Sequence, residues 1–285
     1  MSSSASPGES ASSSAAAGEC ASSGATAGRR RWRLAAAKLG LWPDEKPDVE
    51  PYMHGWVHNG NQRLLQRILS SRQPRVIVEL GSWLGLCTTL MLEETAAFNS
   101  AVFAVDPWDP ELLLEQQLAQ YESDSHAIQI LGSVPLFPTF LVNTWEHRRR
   151  LFPLKMTSLE GIATIHALGV TPELVYIDGD HSYTAVLADL EACEAAFPGA
   201  LLVGDDWQWT EVRSAVRHFC STRPLRVEAH PRENWWWLER TTPLATRSHE
   251  NPEAAEGPGK RRRTTVEFVT QMGDPNAQFA REPAS

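Results

Sequence analysis

The 285-residue sequence contains only four cysteines, and their spacing suggests no pairing. None of them forms a CxxC pair, and Cys87 and Cys193 lie within apolar patterns that predict burial. We therefore expect reduced thiols in an intracellular protein rather than a disulfide framework.

Long apolar runs and excess positive charge are also missing. No stretch reaches the roughly 18 to 20 apolar residues of a membrane span, and Ala15-Ala16-Ala17 is too weak for a signal-peptide core. The net charge of −9 argues against wholesale nucleic-acid binding. The run Lys260-Arg261-Arg262-Arg263 is a local exception. We interpret it as a solvated charge cluster, with nuclear import or binding to an anionic surface as the alternatives.

Both ends of the chain have too few apolar residues to join a core. Residues 1–28 are almost entirely Ser, Ala and Gly, and residues 242–285 are rich in polar residues and Pro. We predict a disordered leader over 1–45, one domain over 46–241 and a disordered tail over 242–285. The leader ends in a basic run, Arg29 to Arg33, so an organellar transit peptide is the alternative to a cytoplasmic protein.

Two acidic clusters each closely follow a predicted buried strand. Asp178-Gly179-Asp180-His181 follows residues 174–177, and Asp205-Asp206 follows residues 200–203. Apolar residues from Tyr183 to Phe197 recur at helical spacing, so strand, helix and strand form one βαβ unit with parallel strands. The carboxyl ends of parallel strands open on one edge of a sheet. The two clusters are therefore expected to meet there and to offer oxygen ligands to a divalent metal.

The remaining patterns predict further strands and helices around this unit. Residues 107–150 have mixed helical and loop character, and a segment of this length commonly carries substrate specificity. Strands are predicted at 76–80, 101–105, 153–156, 225–229 and 235–239, the last two as an antiparallel pair. Helices are predicted at 62–69, from Leu86 to about 97, from Leu159 onward and at 212–219.

The turn Gly81-Ser82-Trp83-Leu84-Gly85 connects a strand to a helix and lets backbone N–H groups approach a ligand. It is not the dinucleotide fingerprint, because Trp83 and Leu86 occupy positions that would need glycine. Glu79 precedes the turn, and Asp106 ends the next strand, where a carboxylate can accept hydrogen bonds from a ribose diol. The pattern fits a nucleoside without a diphosphate.

With these residues in view, the chain resembles the class I S-adenosylmethionine-dependent methyltransferases over essentially all of residues 50–241. Val76 to Gly85 looks like their first motif, and Asp106 resembles their ribose-binding acid. Residues 176–183 and 203–207 resemble the metal-dependent O-methyltransferase branch. That branch includes macrolide-sugar O-methyltransferases and cephalosporin-hydroxylase-like proteins, with catechol and caffeoyl-CoA O-methyltransferases as more distant relatives. The resemblance implies an α/β, Rossmann-like fold: a mostly parallel seven-stranded sheet with an antiparallel C-terminal hairpin and helices on both faces.

The same resemblance implies roles for individual residues. It places metal ligands at Asp178, Asp205 and Asp206, the last of which is often Asn in the relatives. It also places His181 where the catalytic base lies, a position that is lysine in the catechol-type enzymes. The cofactor-binding residues are expected to be Glu79, Gly81, Ser82, Gly85, Asp106 and Ser158.

Several of these residues also have plain structural interpretations. Gly81 and Gly85 could simply form a tight connection, and Asp106, Asp180, Asp205 and Asp206 could cap helices. Ser158 could contact an adenine or merely begin a helix, and the sequence does not separate the two. The tryptophans at 207, 209 and 235–237 could pack the core and hairpin or could form a substrate platform.

We therefore hypothesise an O-methyltransferase that moves a methyl group from S-adenosylmethionine to a small-molecule hydroxyl. Mg²⁺ or another hard divalent cation would assist, because an all-oxygen ligand set selects such ions. The alternatives are a metal-dependent hydrolase, which leaves Gly81 and Asp106 without a role, and a cofactor-binding module without catalysis. Since relatives often assemble, a homo-oligomer is also considered. The sequence does not identify the acceptor.

Overall fold

The computed structural model describes residues 36, 39–57, 59–120 and 125–241. Most of the predicted leader and the whole predicted tail lie outside these residues. Cys20, the basic run Arg29 to Arg33 and the run Lys260 to Arg263 lie outside them as well. The predictions of a disordered leader, a disordered tail and a transit peptide, and the domain boundaries themselves, therefore stay predictions.

The described residues form one seven-stranded sheet with helices on both faces. The strands are β1 (Val76–Leu80), β2 (Ala101–Asp106), β3 (Leu151–Lys155), β4 (Leu174–Ile177), β5 (Leu201–Asp205), β6 (Leu225–His230) and β7 (Trp235–Arg240). Their order is β3-β2-β1-β4-β5-β7-β6. Strands β1 to β5 pair in parallel, and β7 pairs antiparallel with both β5 and β6. The expected mostly parallel sheet with an antiparallel C-terminal hairpin is confirmed.

The helices precede β1 or lie between successive strands, and they cover both faces of the sheet. They are α1 (Asn59–Arg72), α2 (Leu86–Glu94), α3 (Pro110–Gln120), α4 (Ser125–Ser133), α5 (Leu136–Asn143), α6 (Ser158–Ala167), α7 (Tyr183–Ala196) and α8 (Thr210–Ser221). Short 3-10 turns follow α2 at Ala96–Phe98 and α5 at Trp145–His147. Among the described residues, no helix combines the length and the apolar character needed to cross a bilayer.

Alternation along the buried strands creates two separate cores. In β1, Val76, Val78 and Leu80 join a core with side chains of α6, α7 and α8, whereas Ile77 joins a core with side chains of α1, α2, α4 and α5. Successive strand residues point to opposite faces, so a central parallel strand is apolar along most of its length. This explains the continuous apolar runs of the sequence.

Strand and helix boundaries differ from the sequence-based ones in ways that pairing explains. Strand β3 begins at Leu151, two residues before the predicted start, and contains Pro153. A proline is tolerated there because β3 is an edge strand that pairs on one side only. Strand β5 continues to Asp205, because that residue pairs with Trp235 of β7. The described residues of the segment 107–150 form three α-helices and a short 3-10 turn joined by loops, in agreement with the mixed helical and loop character expected there.

The topology fixes where a ligand can bind. Strand β1 lies between β2 and β4, so the chain reverses its direction across the sheet at the β1–β4 boundary. In open parallel sheets this switch point leaves a crevice at the carboxyl ends of the strands. The glycine turn, Asp106 and both acidic clusters all follow strands that end at this edge.

Candidate active site

A cavity of about 520 Å³ lies at this edge and is lined by residues from both halves of the predicted site. Glu79 and Gly85 are not among its lining residues. The predicted site residues that do line it are Gly81, Ser82, Asp106, Ser158, Asp178, His181, Asp205 and Asp206. The structure therefore brings eight of the ten predicted site residues to one cavity.

Both glycines of the turn are required by local geometry. Gly81 has a φ of 88°, and a Cβ atom there would lie 2.0 Å from the carbonyl oxygen of Asp178. Gly85 has a φ of 91°, and its Cβ would lie 2.8 Å from Cγ2 of Thr144. L-residues rarely adopt such φ values. Close packing against the end of β4 therefore demands glycine at 81, whether or not a ligand approaches the turn.

Asp106 holds the glycine turn in place. Its Oδ2 accepts hydrogen bonds from the backbone N–H of Ser82 at 3.1 Å and of Trp83 at 2.9 Å. Its Oδ1 accepts the N–H of Trp108 at 2.7 Å. Burial raises the pKa of Asp106 to about 6, although the three amide donors act to lower it. An ionised carboxylate offers about four acceptor positions, so about one remains for a ligand hydroxyl.

Glu79 lies behind the turn and has no exposed surface. Its Oε2 accepts the hydroxyl of Ser82 at 2.6 Å and also the hydroxyl of Thr88. Burial raises the pKa of Glu79 to about 7, against the lowering effect of these two hydroxyls. Glu79 thus connects the turn to the start of α2, and its contact with Ser82 links it to the cavity.

His181 lies between two carboxylates on the other side of the cavity. Its Nε2 is 2.7 Å from Oδ2 of Asp206 and 3.7 Å from Oδ1 of Asp178. Burial lowers the pKa of His181, but the hydrogen bonds and charges of the two aspartates outweigh it and raise the pKa to about 10. The imidazole also stacks on Trp209, with ring centroids 5.5 Å apart.

The ligand atoms of Asp178, His181 and Asp206 all lie within 4.8 Å of one another, a spacing suited to a metal ion. Asp206 has a φ of 60°, a left-handed conformation that Asp and Asn adopt more readily than most residues. Its Oδ1 accepts a hydrogen bond from Nδ2 of Asn234 at 2.9 Å. Sequence reasoning missed this asparagine, because nothing in the hairpin pattern distinguishes it.

Asp205 lies deeper than its neighbour, with 4% of its surface exposed. Its Oδ1 accepts the backbone N–H of Asp206 at 2.6 Å, and its carbonyl accepts Nε1 of Trp236 at 2.9 Å. Burial raises the pKa of Asp205 to about 8, and the charges of Asp178 and Asp206 add to the effect. Such mutual repulsion is what a bound cation would relieve.

Most of the predicted site residues that could have capped helices do not do so in the structure. Helix α7 is capped by Ser182, whose Oγ accepts the N–H of Ala185, so Asp180 is not its cap. Thr157 caps α6 in a capping box with Glu160, so Ser158 is the first helical residue rather than the cap. Helix α8 has no side-chain cap, which leaves Asp205 and Asp206 without that role.

Asp106 also lacks a capping role, because Asp109 accepts the first free N–H groups of α3. Asp180 is held differently: its Oδ1 accepts the N–H of Ser182 at 2.8 Å, and its Oδ2 accepts Nε2 of Gln116 at 3.3 Å. Gln116 belongs to α3 and lines the cavity. The segment 107–150 therefore contributes directly to the cavity wall.

An extended segment before α1 supplies aromatic residues to the cavity that the sequence analysis did not single out. Trp56 lies 5.5 Å from Trp83 between ring centroids, and Nε1 of Trp83 donates to Nδ1 of His54 at 3.0 Å. Trp56 is 42% exposed although it lines the cavity. Its only sequence signal was a tryptophan in a polar, non-periodic stretch. The Trp235–Trp237 run, by contrast, does not line the cavity.

Residues 78–207, a little under half of the chain, match the family described as a methyltransferase domain. No curated protein matches the chain in sequence. Among solved structures, an O-methyltransferase from Bacillus cereus in complex with SAH is 13% identical to this chain. The alignment covers 74% of this chain and 89% of the Bacillus cereus chain, with a TM-score of 0.41. An SAH-bound methyltransferase from Podospora anserina is 12% identical, with 83% and 100% coverage and a TM-score of 0.42.

The matched residues run from β1 to the residue after Asp206, so they contain the glycine turn, Asp106 and both acidic clusters. The sheet order and the antiparallel C-terminal pair are those expected of a Rossmann-like methyltransferase. Residues 78–207 therefore match the methyltransferase-domain family, and the described residues have the Rossmann-like methyltransferase fold.

Proposed function

We propose that the protein transfers a methyl group from S-adenosylmethionine to a hydroxyl of a small molecule, with the help of a hard divalent cation. One observation carries this proposal. A single cavity is bordered by the glycine turn and Asp106 on one side and by Asp178, His181 and Asp206 on the other. A methyl donor and an oxygen acceptor could therefore be held side by side, which is the main requirement of a displacement reaction.

The donor side would bind the nucleoside of the cofactor. The turn at Gly81 and Ser82 brings backbone close to the cavity, and the remaining acceptor position of Asp106 suits a ribose hydroxyl. S-adenosylmethionine supplies a methyl group on a positively charged sulfur. Acidic residues along the cavity favour that charge, whereas a polyphosphate cofactor would be repelled by them.

The acceptor side fits a divalent cation by the chemistry of its donors. Asp178 and Asp206 would hold it through carboxylate oxygens, and Asp205, which also lines the cavity, would be the third ligand. When bound, such a cation supplies a positive charge that lowers the pKa of an acceptor hydroxyl. Carboxylate oxygens favour Mg²⁺, Ca²⁺ or Mn²⁺ over softer ions.

His181 would take the proton from the acceptor. As the new C–O bond forms, the S–C bond breaks, its electron pair stays on sulfur, and the hydroxyl proton moves to the imidazole of His181. The imidazole must be neutral at the start of this step. The charges of Asp178 and Asp206 work against neutrality by raising the pKa of His181. A positive charge beside those carboxylates lowers the pKa of His181 and so favours the neutral imidazole.

Calorimetric titration with S-adenosylhomocysteine, with and without Mg²⁺, tests the cofactor half of the proposal. Incubation with methyl-labelled S-adenosylmethionine and panels of phenols and sugars tests the transfer half. We expect binding, and labelled product from at least one hydroxyl acceptor when Mg²⁺ is present. A protein that binds no S-adenosylhomocysteine under either condition would contradict the proposal, and hydrolysis of a phosphoester or amide by the same protein would favour a hydrolase.

A further inference from the structure

One wall of the cavity is formed by a segment that belongs neither to the sheet nor to a helix. Residues 51–57, here called the strap, lie outside the helices and strands of the described part of the chain. Residues 54–57 line the cavity, yet Trp56 is 42% exposed, and Tyr52 and Met53 are exposed by a similar fraction. The strap is therefore a single layer of chain between the cavity and the solvent.

Asn143, at the end of α5, holds the strap by its backbone. Its Oδ1 accepts the N–H of Tyr52 at 3.1 Å, and its Nδ2 donates to the carbonyl of Tyr52 at 2.9 Å. The same Nδ2 donates to the carbonyl of Leu84 in the glycine turn at 2.8 Å. One side chain thus fastens the strap to the turn that borders the cavity.

Further contacts of the strap run through aromatic rings. His54 accepts Nε1 of Trp83 at 3.0 Å, and it packs edge-on against Trp56 and against His126 of α4, in each case with ring centroids 4.9 Å apart. The Tyr52 hydroxyl lies 3.1 Å from Nε2 of His126. Because the strap lies outside the backbone hydrogen-bond ladder of the sheet, such side-chain contacts decide how easily it opens.

The strap covers the first turn of α2. A Cβ atom at Gly55 would lie 3.0 Å from Cβ of Leu86, so the backbone of the strap packs directly on that residue. The next residue of α2, Cys87, lines the cavity with only 8% of its surface exposed. Opening of the strap should therefore uncover the Cys87 thiol.

We propose that the strap is a gate of the cavity and that Asn143 is the latch that keeps it closed. Opening admits or releases a ligand past Trp56, and closure restores the wall that shields the cavity from water. Asn143 is not among the residues that line the cavity, so its replacement changes the latch and not the cavity surface. The inference goes beyond the proposed function, because it holds for any ligand that the cavity takes.

The test measures how fast the Cys87 thiol reacts in the full-length protein without any ligand. Methyl methanethiosulfonate, a small uncharged reagent, is added at several urea concentrations below the unfolding transition, and peptide mass spectrometry follows Cys87 and Cys193 separately. Cys193 on α7 has no exposed surface, so its reaction requires opening of the core. We expect Cys87 to react faster than Cys193 and nearly independently of urea, because opening of the strap exposes little surface.

Asn143→Ala should raise the rate at Cys87 at least about tenfold, since it loses three hydrogen bonds and each is worth about twofold to tenfold. Glu146→Ala, an exposed change in the turn after α5, is the matched control and should react like the parent. Asn143→Asp keeps the acceptor for the N–H of Tyr52 and loses both donated bonds. It replaces the alanine variant if circular dichroism shows that variant to be unfolded.

Two results would each overturn the inference. A rate at Cys87 that rises with urea as steeply as the rate at Cys193 would mean that only unfolding of the domain exposes the thiol. A rate at Cys87 that stays at the parent value when Asn143 is replaced would mean that Asn143 does not hold a gate over the cavity.

Discussion

Nε2 of His181 lies 2.7 Å from Oδ2 of Asp206, and Oδ1 of Asp178 lies 3.7 Å from the same nitrogen. The imidazole is therefore held between two acids that favour its protonated form and raise its pKa to about 10 despite burial. A residue in this position can accept a proton at neutral pH only if positive charge offsets the acids. Base and cation are thus coupled in the proposed reaction, and removing either should stop it.

Replacing His181 tests the base directly. His181→Ala should cut turnover by about 10² to 10⁴-fold, the usual worth of a positioned base, while the affinity for S-adenosylhomocysteine stays near that of the parent. His181→Lys should keep part of the activity with a more alkaline pH optimum, because an amine with a higher pKa then takes the proton. Methyl transfer measured from pH 6 to 9 gives both results.

The matched control is His166→Ala, since His166 is an exposed histidine on α6. It should turn over like the parent. If His181→Ala also turns over within about threefold of the parent across the range, His181 has a structural role only. Asp180, which also lines the cavity, would then be the next residue to test as the base.

Asp206 provides the test of the metal site. Its left-handed backbone, with φ of 60°, suits Asn as well as Asp, and Asn keeps one of the two side-chain oxygens, which can bind a cation. Asp206→Asn should therefore keep Mg²⁺-stimulated turnover, whereas Asp206→Ala should weaken Mg²⁺ binding by at least the about 10- to 100-fold seen when outer-shell partners are lost. Calorimetric Mg²⁺ titration measures the difference.

Chelation of the parent protein complements these variants. Excess chelator should abolish turnover and leave most of the affinity for S-adenosylhomocysteine, because the nucleoside is expected to bind at the ends of β1 and β2. Added Mg²⁺ should restore activity. Full turnover in chelator, with no metal found by elemental analysis, would return Asp178, Asp205 and Asp206 to purely structural roles.

The fold could be predicted largely because its signals are local. The apolar runs of β1, β2 and β4 are nearly continuous because both faces of each strand are buried, and Gly81 marks the end of β1. Pairing between distant strands has no local signal. The start of β3 at Leu151 and the extension of β5 to Asp205 follow from their neighbours in the sheet, and the sequence-based boundaries missed both.

The site residues at the ends of strands could be predicted from the sequence. The site residues that reach the cavity through the packing of helices could not. Asp106 ends β2, and Asp178 and Asp206 directly follow β4 and β5, so the parallel topology alone brings them together. Asp189 lies within a helix between apolar residues, and only the packing of α7 brings it to the cavity. Glu79 shows the reverse: it is next to the turn in sequence, but its side chain lies behind the turn.

The ionisation of Asp106 should make cofactor affinity depend on pH. Burial raises its pKa to about 6, and a ribose hydroxyl needs an acceptor, so a bound nucleoside favours the ionised form. Affinity for S-adenosylhomocysteine should therefore be highest above pH 6 and fall by up to about tenfold per pH unit below it. Asp106→Asn cannot titrate, and its weaker affinity should stay level from pH 5 to 8. An equal pH dependence in the two proteins would assign the titration to another group.

The fully buried Glu79 should make stability fall with rising pH. Its folded pKa of about 7 lies above its ordinary value of 4.5, so the folded protein binds more protons than the unfolded chain between these values. The stabilising contribution is present below pH 4.5 and is lost as pH rises through 7, a change on the order of 3 kcal/mol for a shift of this size.

Glu79→Gln keeps an oxygen for the hydroxyls of Ser82 and Thr88 but cannot ionise. Urea unfolding in chelator from pH 4.5 to 8 should show a smaller loss of free energy of unfolding for this variant, and higher stability than the parent at pH 8. Glu191→Gln, on an exposed position, should follow the parent. Parallel curves for Glu79→Gln and the parent would mean that Glu79 does not carry the extra proton, and that the hydroxyls of Ser82 and Thr88 suffice to keep it ionised inside the core.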